Sequence, residues 1–307
     1  MILNILFIVI GIVLVLWGAD RLTDGAVAVA EKMKMPQIVI GLTIVAMGTS
    51  MPEFCVSLIS ALKGTSDLAV GNIVGSNIFN TLLIVGVSAL VAPMSIMKTT
   101  VRKDIPFALV ASALLLIMCL DGDISRIDAA ILFVMFLIFM YITLRGAKVQ
   151  GTDLEEKEKK SMGTWLSVVW ILVGLACLIG GSNLFVDGAT AVATKLGVSE
   201  AFIGLTIVAG GTSLPELATS VVSARKGNSG IAIGNVLGSN VFNILAILGL
   251  TGVISPMTLK GITMTDLSMM VISIILIWLF SFTKYKIERW EGAILTAVFV
   301  GYIYSLL

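Results

Sequence analysis

Histidine is absent from this chain, which removes the commonest general base and metal ligand at a stroke. Charge is scarce too. Acidic and basic residues make up 13% of the 307 positions, against about 25% in a soluble domain. With 58% hydrophobic residues and a mean hydropathy of +1.06, the composition is that of an integral membrane protein. The formal net charge of +1 supplies no attraction for nucleic acid. Cysteine is limited to Cys55, Cys119 and Cys177, scattered through apolar segments without a pairing or metal-binding spacing, and these are expected to act as small buried hydrophobes. The first hydrophobic run, Ile2 to Trp17, lacks a basic segment before it and a small-residue cleavage site after it. It is therefore read as a first membrane span and not as a signal peptide.

What the chain has in quantity is long apolar runs. Windows of about 17–25 such residues give ten spans, placed near 2–22, 38–62, 70–92, 105–120, 127–145, 164–186, 201–224, 232–254, 265–283 and 290–306. The one long polar stretch, 146–163, contains Asp153-Leu154-Glu155-Glu156-Lys157-Glu158-Lys159-Lys160 and reads as a solvated linker. It separates two halves, 1–145 and 164–307, that repeat one another. Residues 18–94 align without a gap on 181–257, and twelve of the fourteen positions in 40–53 are identical in 203–216. Five spans per half is an odd number, so the second half enters the membrane from the opposite side and the repeats are inverted. If the N-terminus is outside, sixteen of the twenty basic residues fall in inner loops, leaving Lys63, Arg126, Lys195 and Lys260 outside. That bias places both termini outside the cell membrane and the 146–163 linker in the cytoplasm.

Within these spans, Gly48-Thr49-Ser50-Met51-Pro52-Glu53 recurs as Gly211-Thr212-Ser213-Leu214-Pro215-Glu216. Proline has no amide proton, so the carbonyl four residues back loses its helical partner. Hydroxyls, freed carbonyls and a carboxylate at mid-membrane depth must face protein or a water-filled cavity. A second motif, Gly71-Asn72-Ile73-Val74-Gly75-Ser76-Asn77-Ile78-Phe79-Asn80, recurs as Gly234-Asn235-Val236-Leu237-Gly238-Ser239-Asn240-Val241-Phe242-Asn243. Asn72, Ser76 and Asn80 share one helical stripe, as do Asn235, Ser239 and Asn243. The glycines give the small-xxx-small spacing that lets backbones approach. Asn72, Asn77, Asn235 and Asn240 fit helix-to-helix glue as well as they fit a site, whereas Ser76, Asn80, Ser239 and Asn243 lie deeper and read as ligands.

Broken spans 2 and 7, packed against spans 3 and 8, would thus bring oxygen donors together from four helices. Without thiolate or imidazole the set suits hard cations. Adjustable carbonyls favour calcium over magnesium, and two carboxylates balance one divalent ion or two monovalent ones. Calcium and sodium have similar sizes, so one cage can exchange them.

The two motif pairs resemble the alpha repeats of the sodium/calcium exchanger family, within the cation/calcium antiporter superfamily, and the resemblance covers nearly the whole chain. It implies that Glu53 and Glu216 hold calcium together with the backbone carbonyls of Thr49 and Thr212. It also implies that Ala46, Thr49, Ser50, Ser76, Ala209, Thr212, Ser213 and Ser239 share the sodium sites, and that Asn80 and Asn243 line the centre. Many members of the family carry an aspartate at one of the two central positions. Here both are asparagine, which speaks against potassium cotransport. The linker has no room for the regulatory domains of animal exchangers, so a minimal prokaryote-like transporter is expected. Its substrates would be calcium and sodium, its surroundings the lipid bilayer, with no cofactor; the sequence identifies no protein partner, and the chain is expected to act as a monomer.

The nearest alternative is a calcium/proton antiporter on the same fold, in which facing carboxylates would carry the counter-ion proton. That branch usually has an acidic residue within its Gly-Asn motif, where this chain has Ile73-Val74-Gly75-Ser76. An intramembrane hydrolase would need a nucleophile with a base, for which there is neither histidine nor an aspartate pair. A passive channel would show flux without counter-ion dependence.

Overall fold

A computed structural model describes residues 1–150, 162–197 and 209–306, and the side chains of all of these except 148–150 and 209. Most of the 146–163 linker, the first residues of the seventh expected span and the side chain of Ala209 lie outside the described set. The helices are α1 (Ile2–Lys32), α2 (Gln37–Thr49), α3 (Met51–Leu62), α4 (Ser66–Val91), α5 (Thr100–Asp121), α6 (Arg126–Gln150), α7 (Thr164–Lys195), α8 (Ala209–Thr212), α9 (Leu214–Arg225), α10 (Ser229–Ile254), α11 (Met264–Ser281) and α12 (Arg289–Leu306). Among the described residues seven helices are long and apolar enough to cross a membrane, or eight if α2 and α3 count as one bent span. The protein is an all-helical, multi-pass membrane protein.

Burial separates centre from periphery. The most apolar stretch of α10 is 94% buried and that of α4 72%, against 22% in α1 and 17% in α6. Outer helices instead turn large apolar side chains outward, among them Val13, Leu137 and Leu172. In a chain of this composition such faces meet lipid. The two central helices are the ones that carry the Gly-Asn motifs. Each passes into π-helical turns at the last two residues of its motif, over Phe79–Ile84 and Phe242–Leu248, a distortion that gathers at functional sites.

α1 and α7 extend well past the expected spans, to Lys32 and Lys195. Hydropathy stops at Asp20-Arg21, but the helix continues because those charges are paired. Lys226 bridges Asp20 and Asp24 at 2.5 and 2.7 Å, and Arg21 lies over the rings of Trp17 and Trp170. The two long helices pack on glycines spaced by seven, a pattern that hydropathy alone does not flag. A Cβ on Gly18 would stand 2.8 Å from the Gly174 carbonyl oxygen, and one on Gly181 would stand 2.8 Å from that of Gly11. Cysteine burial is narrower than expected: only Cys119 is buried, while Cys55 is exposed and Cys177 intermediate, so neither needs to fill a gap in the core.

Two short antiparallel ladders join the connecting loops, and hydropathy gave no sign of them. β1 (Met94–Ser95) pairs with β4 (Lys286–Ile287), and β2 (Asp123–Ile124) pairs with β3 (Met257–Thr258). β1 and β3 are the same positions of the two repeats, as are β2 and β4, so each ladder joins one half to the other.

Candidate functional site

Each broken span turns at the serine of its motif. Ser50 (φ −83°, ψ 10°) leaves the helical region, ending α2, and α3 begins at Met51 with Pro52 in its first turn. Ser213 (φ −91°, ψ 7°) does the same between α8 and α9. Proline fits there because first-turn amides have no helical acceptor in any case. The axes of α2 and α3 differ by 48°. Glu53 and Glu216 consequently sit in the first turns of new helices, at positive dipole ends that favour carboxylates.

Packing then brings the halves together. α3 lies against α4 and α9 against α10, each after a tight turn at Gly64 (φ +76°) or Gly227 (φ +79°), which left-handed backbone reserves for glycine. α2, however, packs on α10, the helix of the other repeat. That approach depends on Gly234 and Gly238. A Cβ on Gly234 would lie 2.6 Å from the Ile38 carbonyl oxygen, and one on Gly238 would lie 2.7 Å from the Ala46 Cβ. The expected close approach at Gly71 falls only on the Ile262 side chain among the described residues. Spans 2 and 3 therefore do touch, chiefly through the second half of the broken span.

The described side chains of the expected set converge. Ala46, Thr49, Ser50, Glu53, Ser76, Asn80, Ser213, Glu216, Ser239 and Asn243 are all buried, with both carboxylates at 1% exposure or less. Contacts cross between repeats. Ser50 donates to Glu216 Oε1 at 2.9 Å, and Ser213 donates to Glu53 Oε1 at 3.1 Å. Ser239 approaches the same Glu216 oxygen at 3.5 Å, while the Ser76 and Ser213 hydroxyls lie 3.3 Å apart. Thr49 Oγ1 is 3.1 Å from both the Val45 carbonyl oxygen and Asn235 Oδ1. Thr212 and Ala209 stand in α8 beside them in sequence.

Four buried oxygens of the expected ligand set have no hydrogen-bond partner: Glu53 Oε2, Glu216 Oε2, Asn80 Oδ1 and Asn243 Oδ1. Buried acceptors are normally satisfied. A matched set of four acceptors, two of them on carboxylates, has the donor chemistry that could hold a hard cation. Among the described residues no cluster of three or more acidic or cysteine side chains forms, so the charge of the centre rests on the two glutamates.

Some residues were left ambiguous or missed in the sequence. Asn72 Nδ2 donates to the Glu53 carbonyl oxygen at 3.2 Å and to Ser57 Oγ at 2.9 Å, and Asn235 Nδ2 donates to the Glu216 carbonyl oxygen at 3.3 Å and to Ser220 Oγ at 3.0 Å. These two asparagines hold each glutamate-bearing turn to its neighbour. Ser57 and Ser220 are the same position of the two repeats, and that repetition was the one signal that could have found them. Asn77 and Asn240 bond between α4 and α10.

Comparison with known proteins agrees with this geometry. The family model described as sodium/calcium exchanger protein matches residues 3–145 and 166–307. The putative antiporter CaxA of Alkalimonas amylolytica is 39% identical over 100% of this chain and 99% of its own length. The sodium/calcium exchanger MaX1 of Methanosarcina acetivorans is 32% identical over 99% and 98%. A solved structure of the sodium-calcium exchanger NCX_Mj, soaked with sodium and strontium, superposes with a TM-score of 0.88 at 32% identity, covering 100% of this chain and 99% of that one. On these matches, which extend over both halves and both motif pairs, the chain belongs to the sodium/calcium exchanger protein family.

Proposed function

We propose that this protein is a secondary antiporter that exchanges sodium for calcium across the cell membrane by alternating access, electrogenically and without potassium. The observation that carries the reading is the set of four unpartnered buried oxygens, Glu53 Oε2, Glu216 Oε2, Asn80 Oδ1 and Asn243 Oδ1. Calcium would bind between the two glutamates, with carbonyls at Thr49 and Thr212 completing its shell. The flanking hydroxyls of Ser50, Ser76, Ser213 and Ser239, with the backbone at Ala46 and Ala209, would serve sodium. Hydroxyl and carbonyl dipoles suffice for a monovalent ion but not for a divalent one.

The proposed architecture is ten spans in two inverted repeats, 1–145 and 164–307, joined by a cytoplasmic linker at 146–163. α12 and the α8–α9 segment supply the spans beyond those of obvious hydropathy. The cross-repeat ladders support this reading, since every ladder pairs one half with the other. Sidedness is supported by which charges meet. Lys226 reaches Asp20 and Asp24 beside Arg21, all at positions assigned to the inner face. Lys32 bonds Thr164 at the end of the linker. The N-terminal amine, assigned to the outer face, lies by Lys195, whose hydrogen bond and like charge lower its pKa from the ordinary value.

The test is radioactive calcium uptake into vesicles with a sodium gradient and a pH gradient imposed separately. Uptake should follow the sodium gradient alone. Uptake driven by the pH gradient would instead assign the protein to calcium/proton exchange on the same fold.

A further inference from the structure

The two free asparagine oxygens, Asn80 Oδ1 and Asn243 Oδ1, need an explanation of their own, because an asparagine amide offers an oxygen on one side and an NH₂ group on the other. An NH₂ turned toward a cation repels it. We infer that Asn77 and Asn240 are positioning residues, each fixing the amide of the opposite repeat's central asparagine so that its oxygen faces the ions. This inference rests on the reading of Asn80 and Asn243 as ligands.

The orientation follows from donor and acceptor inventory. Thr81 has one hydroxyl hydrogen, which it donates to the Asn77 carbonyl oxygen at 2.7 Å. It can therefore only accept from Asn240, whose Nδ2 lies 2.7 Å away. That choice turns Asn240 Oδ1 toward Asn80, which must answer with its Nδ2, at 3.1 Å. Asn80 Oδ1 is then left without a partner. The second arm runs the other way. Asn77 Nδ2 donates to the Asn240 carbonyl oxygen at 3.3 Å, an acceptor that cannot be reversed. Asn77 Oδ1 consequently accepts from Asn243 Nδ2 at 3.1 Å, and Asn243 Oδ1 is left free. All five side chains are buried at 1% exposure or less, which shields these bonds from bulk solvent. The arms differ in one respect: Thr81 corresponds to Ile244 in the second repeat, so the hydroxyl anchor serves only the arm that ends on Asn80.

An amide flip barely changes shape, so loss of this control alters polarity at the site while leaving packing intact. That distinguishes positioning from helix glue. Calcium titration of the purified protein and initial uptake rates in proteoliposomes give affinity and maximal rate. N80A should weaken calcium binding about tenfold or more, since a ligand is gone. N240A should weaken it about fivefold while the rate at saturating calcium is retained. The decisive variant is N80D, because a carboxylate presents an oxygen whichever way it turns. In the wild type it would oppose Asn240 Oδ1, oxygen to oxygen, whereas in N240A that clash is absent. Its added charge is common to both backgrounds and cancels in their ratio. N80D should therefore act on calcium affinity at least about fivefold more favourably in N240A than in the wild type.

If N80A binds calcium normally, Asn80 is no ligand and the underlying reading fails. If N80A weakens binding but the N80D effect is equal in the two backgrounds, the ligand reading stands and the positioning role is overturned. Should N240A not fold, T81V removes the anchor with almost no change in volume, and N80D in the T81V background then gives the same comparison: a more favourable effect than in the wild type supports positioning, and an equal one overturns it.

Discussion

Ser50 of the first repeat donates to Glu216 of the second at 2.9 Å, and the reciprocal bond from Ser213 to Glu53 is 3.1 Å. Each carboxylate thus has one oxygen tied to the break in the other half's helix and one oxygen with no partner. A cation drawn in by the free oxygens would act on both breaks together, because each break is held by the acid of the opposite repeat. This exchange of partners makes a single site out of two repeated motifs.

Charge removal is the first consequence. In E53Q or E216Q one carboxylate would face a divalent ion in a poorly hydrated centre, an imbalance of several kcal/mol. Calcium binding measured by calorimetry should be lost, while circular dichroism and elution volume stay those of the wild type. Near-normal calcium affinity in either variant contradicts the assignment of the two glutamates.

The flanking hydroxyls separate the two counter-ions. Among the described residues, Ser76 and Ser239 make long contacts, 3.3 Å to Ser213 Oγ and 3.5 Å to Glu216 Oε1, so each can turn to a monovalent ion with little lost. S76A and S239A should shift the sodium activation curve to higher sodium by roughly three- to tenfold, about 1 kcal/mol for a neutral dipole. Calcium affinity should change less. Activation curves that stay in place while the pH dependence moves would favour proton exchange.

How far the site was legible in the sequence depends on which feature is asked for. The breaks at Ser50 and Ser213 were legible because Pro52 and Pro215 forbid a regular helix, and because the motif is written twice. The acids and hydroxyls were legible because such groups are costly in lipid. Partner choice was not: nothing in a repeated motif says whether Ser50 reaches Glu53 or Glu216. The packing of α2 on α10 was hidden for the same reason, since Gly71 and Gly234 look alike until one of them is found against Gly41. Asn77 and Asn240 remained ambiguous because an amide that glues helices and an amide that aims a ligand are the same residue type. The extent of α1 was misjudged because the charges that end its apolar run are neutralised by Lys226, about two hundred residues away in the chain.

The glycine contacts of α1 and α7 make a prediction about stability. A methyl group on Gly18 would meet the Gly174 carbonyl oxygen at 2.8 Å and the Leu178 amide nitrogen at 3.0 Å, and backbone cannot yield as a side chain can. G18A should cost about 1–3 kcal/mol through forced separation of the two helices. The control is G180A, where a Cβ meets nothing within 4 Å. Thermal unfolding in detergent should show a lower midpoint for G18A and an unchanged one for G180A. Equal midpoints would mean that the helices part without penalty.

The centre's charge gives the final prediction. With asparagine at both central positions it holds a charge of about −2 from Glu53 and Glu216, which one calcium or two sodium ions neutralise. A third sodium would carry net positive charge across the membrane, worth about 2.3 kcal/mol per 100 mV. Sodium-driven calcium movement should therefore respond to voltage and gain nothing from potassium. N243D tests this from the other side. The amide it replaces donates to Asn77 Oδ1 at 3.1 Å, and an ionised carboxylate there would set oxygen against oxygen beside two further acids. Carrying a proton relieves both conflicts, since the protonated acid can donate to Asn77 Oδ1 again. Binding an extra monovalent cation relieves only the repulsion among the acids. N243D should accordingly make transport more steeply dependent on pH than in the wild type, or make it responsive to potassium. Calcium flux against sodium, with potassium present or absent and voltage clamped by an ionophore, distinguishes the outcomes. Strict potassium dependence in the wild type would show that two carboxylates do not set the charge of the site, and exchange indifferent to voltage would show that no third sodium is carried.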